Sequence, residues 1–345
     1  MVKEIKLDYF IHKFRTSQYF YIYDVTSNQI LRVDPEIYEL INENEPLNIE
    51  AIKIVEHVRN TLGVFYPSPL KSLKFPPEHE IKEHLENRLG QLILNVTEDC
   101  NMRCKYCKAS GAYFYERLHS SRYMPRNIAE KAITFFLNHS LESQRIAISF
   151  FGGEPLLNFN LIKHSVEYAI SQTVGKRNIH FSLTTNGTLL SEDVIDFLMR
   201  HNFSLYVSLD GPKAIHDRYR VFKNGKGSFD KIMENLEKIK KSEEYFYSKV
   251  GINVTLTPPW EIDKIKSFFK DFPISPHKII FDIVDPYDNI FVKKSDIKKF
   301  DFHKLREEYK KSILKGEDGG LFADWWNRDL AKIVSRPMTM LDEYH

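Results

Sequence analysis

Cysteine is nearly absent from this 345-residue chain: Cys100, Cys104 and Cys107 are the three copies, all inside "NVTEDCNMRCKYCKASG" (95–111). An odd count this small excludes a secreted fold stapled by disulfides. An excess of one charge is also missing. Lys and Arg number 49 against 47 Asp and Glu, a net +2 that gives no bulk attraction to nucleic acid or an anionic membrane. Long apolar runs are absent, so no segment reads as a membrane span. The start, "MVKEIKLDYFIHKF", has no apolar signal core, which predicts a cytoplasmic protein. The 25 phenylalanines are scattered as core without interleaved basic residues, arguing again against nucleic acid. What is present, 42% hydrophobic and 28% charged residues, is the composition of a folded protein long enough for two or three domains.

The chain changes texture along its length. "YFYIYDVTSNQILRVD" (19–34) reads as two strands joined by a polar turn. "PEIYELINE" and "IEAIKIVEHVRNTLGVF" have apolar residues at helical spacing. A hairpin with small helices over residues 1–80 predicts a winged-helix-like α+β module, followed by the proline-bearing linker "PSPLKSLKFPPEHE" (67–80). From about 90 to 290, six apolar strands ("LILNV", "IAISFF", "IHFSLTT", "SLYVSL", "VGINVTL", "KIIFDIV") alternate with helical stretches such as "NIAEKAITFFLNH" and "FDKIMENLEKIKK". That alternation predicts an α/β domain with a parallel sheet, whose strand-to-helix loops gather at one end. Residues 291–345, through "DWWNRDLAKIVS", read as mainly helical.

The cysteines follow the first of the six strands with the spacing C-x3-C-x2-C. A structural zinc needs four ligands, usually in two separated pairs, and no second pair exists. Incidental buried cysteines would be scattered. Three thiolates on one short loop suit an iron–sulfur cube, with one of its four irons left open.

Companion motifs sit at the next strand ends: "SFFGGEP" (149–155), "TTNGT" (184–188) and "VSLDGP" (207–212), followed by "IHDRYRVFKNGKGSF". Singly each reads as a turn, and Asp210 as a turn residue. Together with the cysteine spacing and Tyr106 ahead of the last cysteine, they resemble the radical S-adenosylmethionine (SAM) superfamily. The resemblance implies a partial (β/α)6 barrel with a [4Fe–4S] cluster on Cys100, Cys104 and Cys107. SAM would be chelated at the open iron and cleaved by one electron to a 5′-deoxyadenosyl radical. It further implies that Gly152, Gly153 and Glu154 hold the methionine ammonium, that Tyr106, Asn186 and Ser208 line the cofactor site, and that Arg220 meets the carboxylate. An electron donor such as flavodoxin or ferredoxin is implied too. Other strings fail: "HEIKEH" (79–84) spaces its histidines by five, "NGKGS" lacks a phosphate-loop lysine, and Trp325 and Trp326 read as packing.

Within that superfamily, "GGEP", "TNGTLL" and "SLDGPKAIHD" resemble the maturases of peptides and proteins, including anaerobic sulfatase maturases and thioether-forming enzymes of ribosomal peptides. The N-terminal module resembles a precursor-peptide recognition element, which binds a leader as an added strand. These maturases usually carry a cysteine-rich C-terminal domain with further clusters, and no cysteine follows Cys107. The expectation is a helical segment leading into a missing auxiliary-cluster domain, with the catalytic acid or base unassigned. A radical enzyme acting on a small molecule, and a peptide-binding protein with an inactive barrel, are the competing readings.

Overall fold

The computed structural model describes residues 10–27, 29–41, 49–66, 77–113, 116–143, 145–173, 178–242, 246–247, 250–272, 279–285, 290–297, 299–316 and 326. These fall into two units, one ending at Glu78 and the other spanning His79–Trp326.

The first unit is a three-stranded antiparallel sheet, β1 (Ile11–Arg15), β2 (Phe20–Asp24) and β3 (Gln29–Val33), with helices α1 (Pro35–Leu40) and α2 (Ile49–Leu62). The hairpin expected over 19–34 is β2–β3, joined at a turn in Val25–Ser27. Strand β1 was not foreseen; its alternation is blurred by His12, Lys13 and Arg15. It covers the far side of β2, so in the order β1-β2-β3 the hairpin's remaining edge is β3. Ile11, Ile22, Ile41, Val55, Val64 and Phe65 form the core. Asp24 is buried there and fully used, accepting from Thr26 N, Ser27 Oγ and Phe65 N. Most of the expected linker lies outside the described residues. Its last three residues do not form linker: Glu78 opens helix α3 (Glu78–Asn87), which carries "HEIKEH" with no buried residue.

The second unit is a six-stranded parallel sheet in sequential order. Its strands are β4 (Gln91–Thr97), β5 (Ile146–Gly152), β6 (Ile179–Thr185), β7 (Ser204–Ser208), β8 (Gly251–Leu256) and β9 (Ile279–Ile283). Between them lie α4 (Arg126–Asn138), α5 (Phe159–Thr173), α6 (Glu192–Arg200), α7 (Lys213–Tyr219) and α8 (Phe229–Ser242), with a further helix Ile262–Lys270 before β9. No ladder joins β4 to β9 among the described residues, so the sheet is an open, partial barrel. Period-two alternation sends Leu94, Val96, Ile148, Phe150, Leu183, Val207, Ile252 and Phe281 into the helix-covered core. Ser149, Ser182, Tyr206 and Asn253 are left on the concave face. Beyond β9 lie the helices Lys294–Ile297 and Phe302–Leu314. "DWWNRDLAKIVS" lies outside the described residues except Trp326, whose ring packs on Tyr309. Among the described residues no helix is long and apolar enough to cross a membrane.

Candidate functional site

The C-terminal ends of the strands surround a cavity of about 210 Å³. Nine of the ten residues singled out in the sequence line it: Cys100, Cys104, Tyr106, Cys107, Gly152, Gly153, Asn186, Ser208 and Arg220. The tenth, Glu154, stands behind the wall.

The cysteine loop leaves β4 through a chain of local bonds. Asp99 N donates to Thr97 Oγ1 (3.0 Å), and Cys100 N to Asp99 Oδ1 (2.8 Å). Arg103 Nη1 closes the turn on the carbonyls of Cys100 and Met102, both at 2.7 Å. The loop is then tied to the end of α7 and the segment after it, with Lys105 N donating to Tyr219 O (3.0 Å) and Arg103 N to Val221 O (2.8 Å). The glycines of "GGEP" are what let β5 approach it. A Cβ on Gly152, whose φ is +148°, would lie 2.3 Å from Thr97 O, and one on Gly153 2.1 Å from Asp99 O. The vacated space is occupied by two backbone bonds, Gly153 N to Thr97 O (2.9 Å) and Glu154 N to Asp99 O (2.8 Å).

Glu154 is wholly buried and spends both oxygens on the protein. Oε1 accepts from Leu156 N (3.1 Å) and Thr185 Oγ1 (2.7 Å), and Oε2 from Asn186 N (2.8 Å). Burial pushes its pKa up, against the pull of these three donors. Asn186 thereby has a fixed backbone. Its Nδ2 donates to Asn101 Oδ1 (2.9 Å) and lies 3.8 Å from Cys100 Sγ, while its Oδ1 accepts from Thr188 N and Oγ1.

On the opposite wall Asp210 is a hub, not the simple turn residue that "DG" suggests. Its Oδ1 accepts from Thr255 N (2.9 Å), and its Oδ2 from Tyr106 OH (2.5 Å) and Arg220 Nε (3.0 Å). The Arg220 guanidinium lies 5.3 Å from the centroid of the Tyr106 ring. Burial opposes its charge, but the adjacent Asp210 carboxylate wins and holds Arg220 ionised. Nε is the one side-chain nitrogen of Arg220 that is bonded among the described residues, so its terminal nitrogens are left for the cavity. Ser208 Oγ likewise has no partner among them. Asp210, Asn101 and Thr185 were missed because each works through partners distant in sequence.

The residues fit an iron–sulfur cluster. Burial pushes the Cys100 thiol up to about 11 and the Cys104 thiol up to about 12, the latter against the pull of the Arg220 guanidinium. Among the described residues no group of three His, Cys, Asp or Glu side chains is placed for a single metal ion. Three soft donors around one cavity, without a single-ion focus, match a multi-iron group bonded through three thiolates.

The fold and this donor set define a barrel enzyme class built around such a cluster. A profile of the Radical SAM superfamily matches residues 94–271, just over half of the chain. The chain belongs to that superfamily. It is 32% identical over 183 residues to a cysteine-type anaerobic sulfatase-maturating enzyme of Clostridium novyi, covering 53% of this chain and 48% of that protein. It is 24% identical over 312 residues to the radical SAM cyclopropyl synthase TigE of Paramaledivibacter caminithermalis, covering 75% of this chain and 62% of that one. A solved structure of histidine-tagged anSMEcpe with bound AdoMet superposes with a TM-score of 0.55 and 26% identity over 67% of this chain and 62% of the other. The chain spans about half the length of the first curated relative.

Proposed function

We propose that this chain is a radical SAM enzyme that modifies a ribosomally made peptide or protein. The observation carrying the reading is the single cavity that gathers three thiols, a glycine-walled edge and a guanidinium whose terminal nitrogens are unbonded among the described residues. Cys100, Cys104 and Cys107 would hold the cluster. When bound, it supplies the electron that cleaves SAM to a 5′-deoxyadenosyl radical, which abstracts a substrate hydrogen.

The chain's own residues orient the cofactor and exclude water. The backbone at Gly152 and Gly153 would receive the methionine ammonium. Glu154 acts on it from behind the wall, holding Asn186 in place and adding negative charge near the amine. The terminal nitrogens of Arg220 offer a fork to the carboxylate, and Ser208 Oγ a further hydrogen bond. Tyr106, fixed by Asp210, sets the position of that guanidinium. The peptide substrate class is supported by the maturating activity in the first relative's name and by the separate N-terminal α+β unit, whose β3 edge would take an extended leader. Flavodoxin or ferredoxin would deliver the electron.

The test is anaerobic reconstitution. About four irons and four sulfides per chain are expected, with 5′-deoxyadenosine formed on adding reductant and SAM, and both lost in Cys104→Ala. One bound zinc without sulfide would overturn the reading.

A further inference from the structure

The cysteine loop and the hairpin paired to it carry charge of one sign. From Cys100 to Tyr113 and from Arg218 to Phe229 there are seven lysines and arginines and no acid, in a chain whose whole count is 49 to 47. Arg218 and Arg220 turn inward to Glu261 and Asp210. Of the other five, Lys105, Lys108, Lys223 and Lys226 are exposed, while Arg103 is half-buried with Nη1 on the carbonyls of Cys100 and Met102. Lys223 leans on Asp99 at 3.1 Å, and Lys108 lies 3.7 Å from Asp285. The ammonium groups of Lys105 and Lys226 have no partner among the described residues, and both side chains are exposed.

These cations are held on a built scaffold. Met102 bridges to Phe222 and Val221 to Gly227, making a short antiparallel ribbon and a tight hairpin. Gly227 is needed at its base, since a Cβ there would lie 2.1 Å from the Asp217 carboxyl carbon; that carboxylate accepts from Phe229 N at 2.9 Å. The ribbon also touches the cysteines. Met102 is buried with Cys100 and Cys104, and Phe222 packs against that cluster. Met102 and the three thiols line the cavity, which SAM would fill.

We propose that this ribbon is the docking face for an acidic one-electron carrier protein of low potential. The inference rests on the cluster reading above. One electron leaves the carrier's reduced flavin, taking hydroquinone to semiquinone, and enters the cluster through the thiolate side; no atom is transferred. Opposed charge steers the encounter and fixes its register, and the effect is screened by salt.

The experiment uses the full chain with its cluster, an acidic flavodoxin as probe, and the variant Lys105→Glu/Lys226→Glu. Stopped-flow bleaching of the cluster's visible absorbance by reduced flavodoxin should slow about tenfold or more at low ionic strength, and the gap should close in high salt. Calorimetric affinity for oxidised flavodoxin should fall in parallel. Photoreduced deazaflavin, small and uncharged, should bleach both forms equally, and Lys105→Gln/Lys226→Gln should be intermediate. Equal flavodoxin rates and affinities for wild type and variant at low salt would overturn the proposal. So would a variant that loses affinity for a leader-bearing peptide while its reduction by flavodoxin is unchanged. Absence of any reducible cluster would overturn the underlying reading, whereas the calorimetric arm reads docking by itself.

Discussion

Glu154 contributes to the site through what it holds in place, and this makes its substitution informative. Glu154→Ala leaves Leu156 N, Thr185 Oγ1 and Asn186 N without their acceptor in a buried wall. At about 1–3 kcal/mol for each of these three orphaned groups, the fold should lose at least about 3 kcal/mol, read by chemical denaturation. Glu154→Gln keeps the shape but removes the charge, and at matched iron content SAM affinity should fall roughly tenfold by equilibrium dialysis. Unchanged affinity would take Glu154 out of the cofactor site. His216 is a second buried group with a readable consequence. It accepts from Asp210 N (3.2 Å) and lies 2.9 Å from Ser228 Oγ, and burial lowers its pKa to about 4. A depressed histidine stays neutral in the fold while the unfolded chain binds a proton below about 6.5. Stability should therefore fall as pH drops from about 6.5 to 4, by roughly 3 kcal/mol in all. Urea denaturation across that window should show a shallower loss for His216→Asn than for wild type.

At the scale of elements, the strap between the cysteine loop and β5 depends on a missing side chain. Gly153→Ala would drive a Cβ into the backbone carbonyl of Asp99, which no rotamer change relieves. The bonds Gly153 N to Thr97 O and Glu154 N to Asp99 O would break together, displacing Cys100. Iron incorporation should drop sharply and stability by more than about 2 kcal/mol, while Gly225→Ala should cost only about 1–2 kcal/mol and keep the iron. Gly225 has φ +80° with no atom within 4 Å of an added Cβ, so it isolates the backbone cost from the packing cost. Elements are also where the sequence was most legible. All six parallel strands stood out because each is buried on its helix-facing side and bounded by turn residues. Strand β1 and helix α7 did not. "IHKFR" carries three basic side chains in five positions, and "KAIHDRY" lay within a stretch read only as a motif. Asp210 escaped for a different reason. Its acceptors serve Tyr106, Arg220 and Thr255, two of them at least 45 residues away, and no local pattern announces that convergence.

At the scale of the whole molecule, the proposed function and the division into two units together predict that radical chemistry and leader recognition are separable. Every residue assigned to the cofactor lies within His79–Trp326, which has its own apolar core running from Leu94 to Leu305. The N-terminal unit has a separate core around Ile22 and Phe65. Among the described residues, β3 pairs only with β2, so its other edge offers backbone donors and acceptors to an extended segment. Deleting residues 1–77, which ends just before α3, should leave iron content and uncoupled 5′-deoxyadenosine formation near wild type. It should abolish modification of a leader-bearing precursor, because a weakly bound core peptide depends on tethering for its local concentration near the radical. Precursor mass shift and 5′-deoxyadenosine yield, measured side by side at equal cluster content, check both halves. A leaderless core peptide supplied at high concentration should be modified equally poorly by the two forms, since it has lost the tether either way. If the truncated chain modifies the full precursor as well as the intact chain does, β3 is not the leader site, and recognition must lie within the barrel unit.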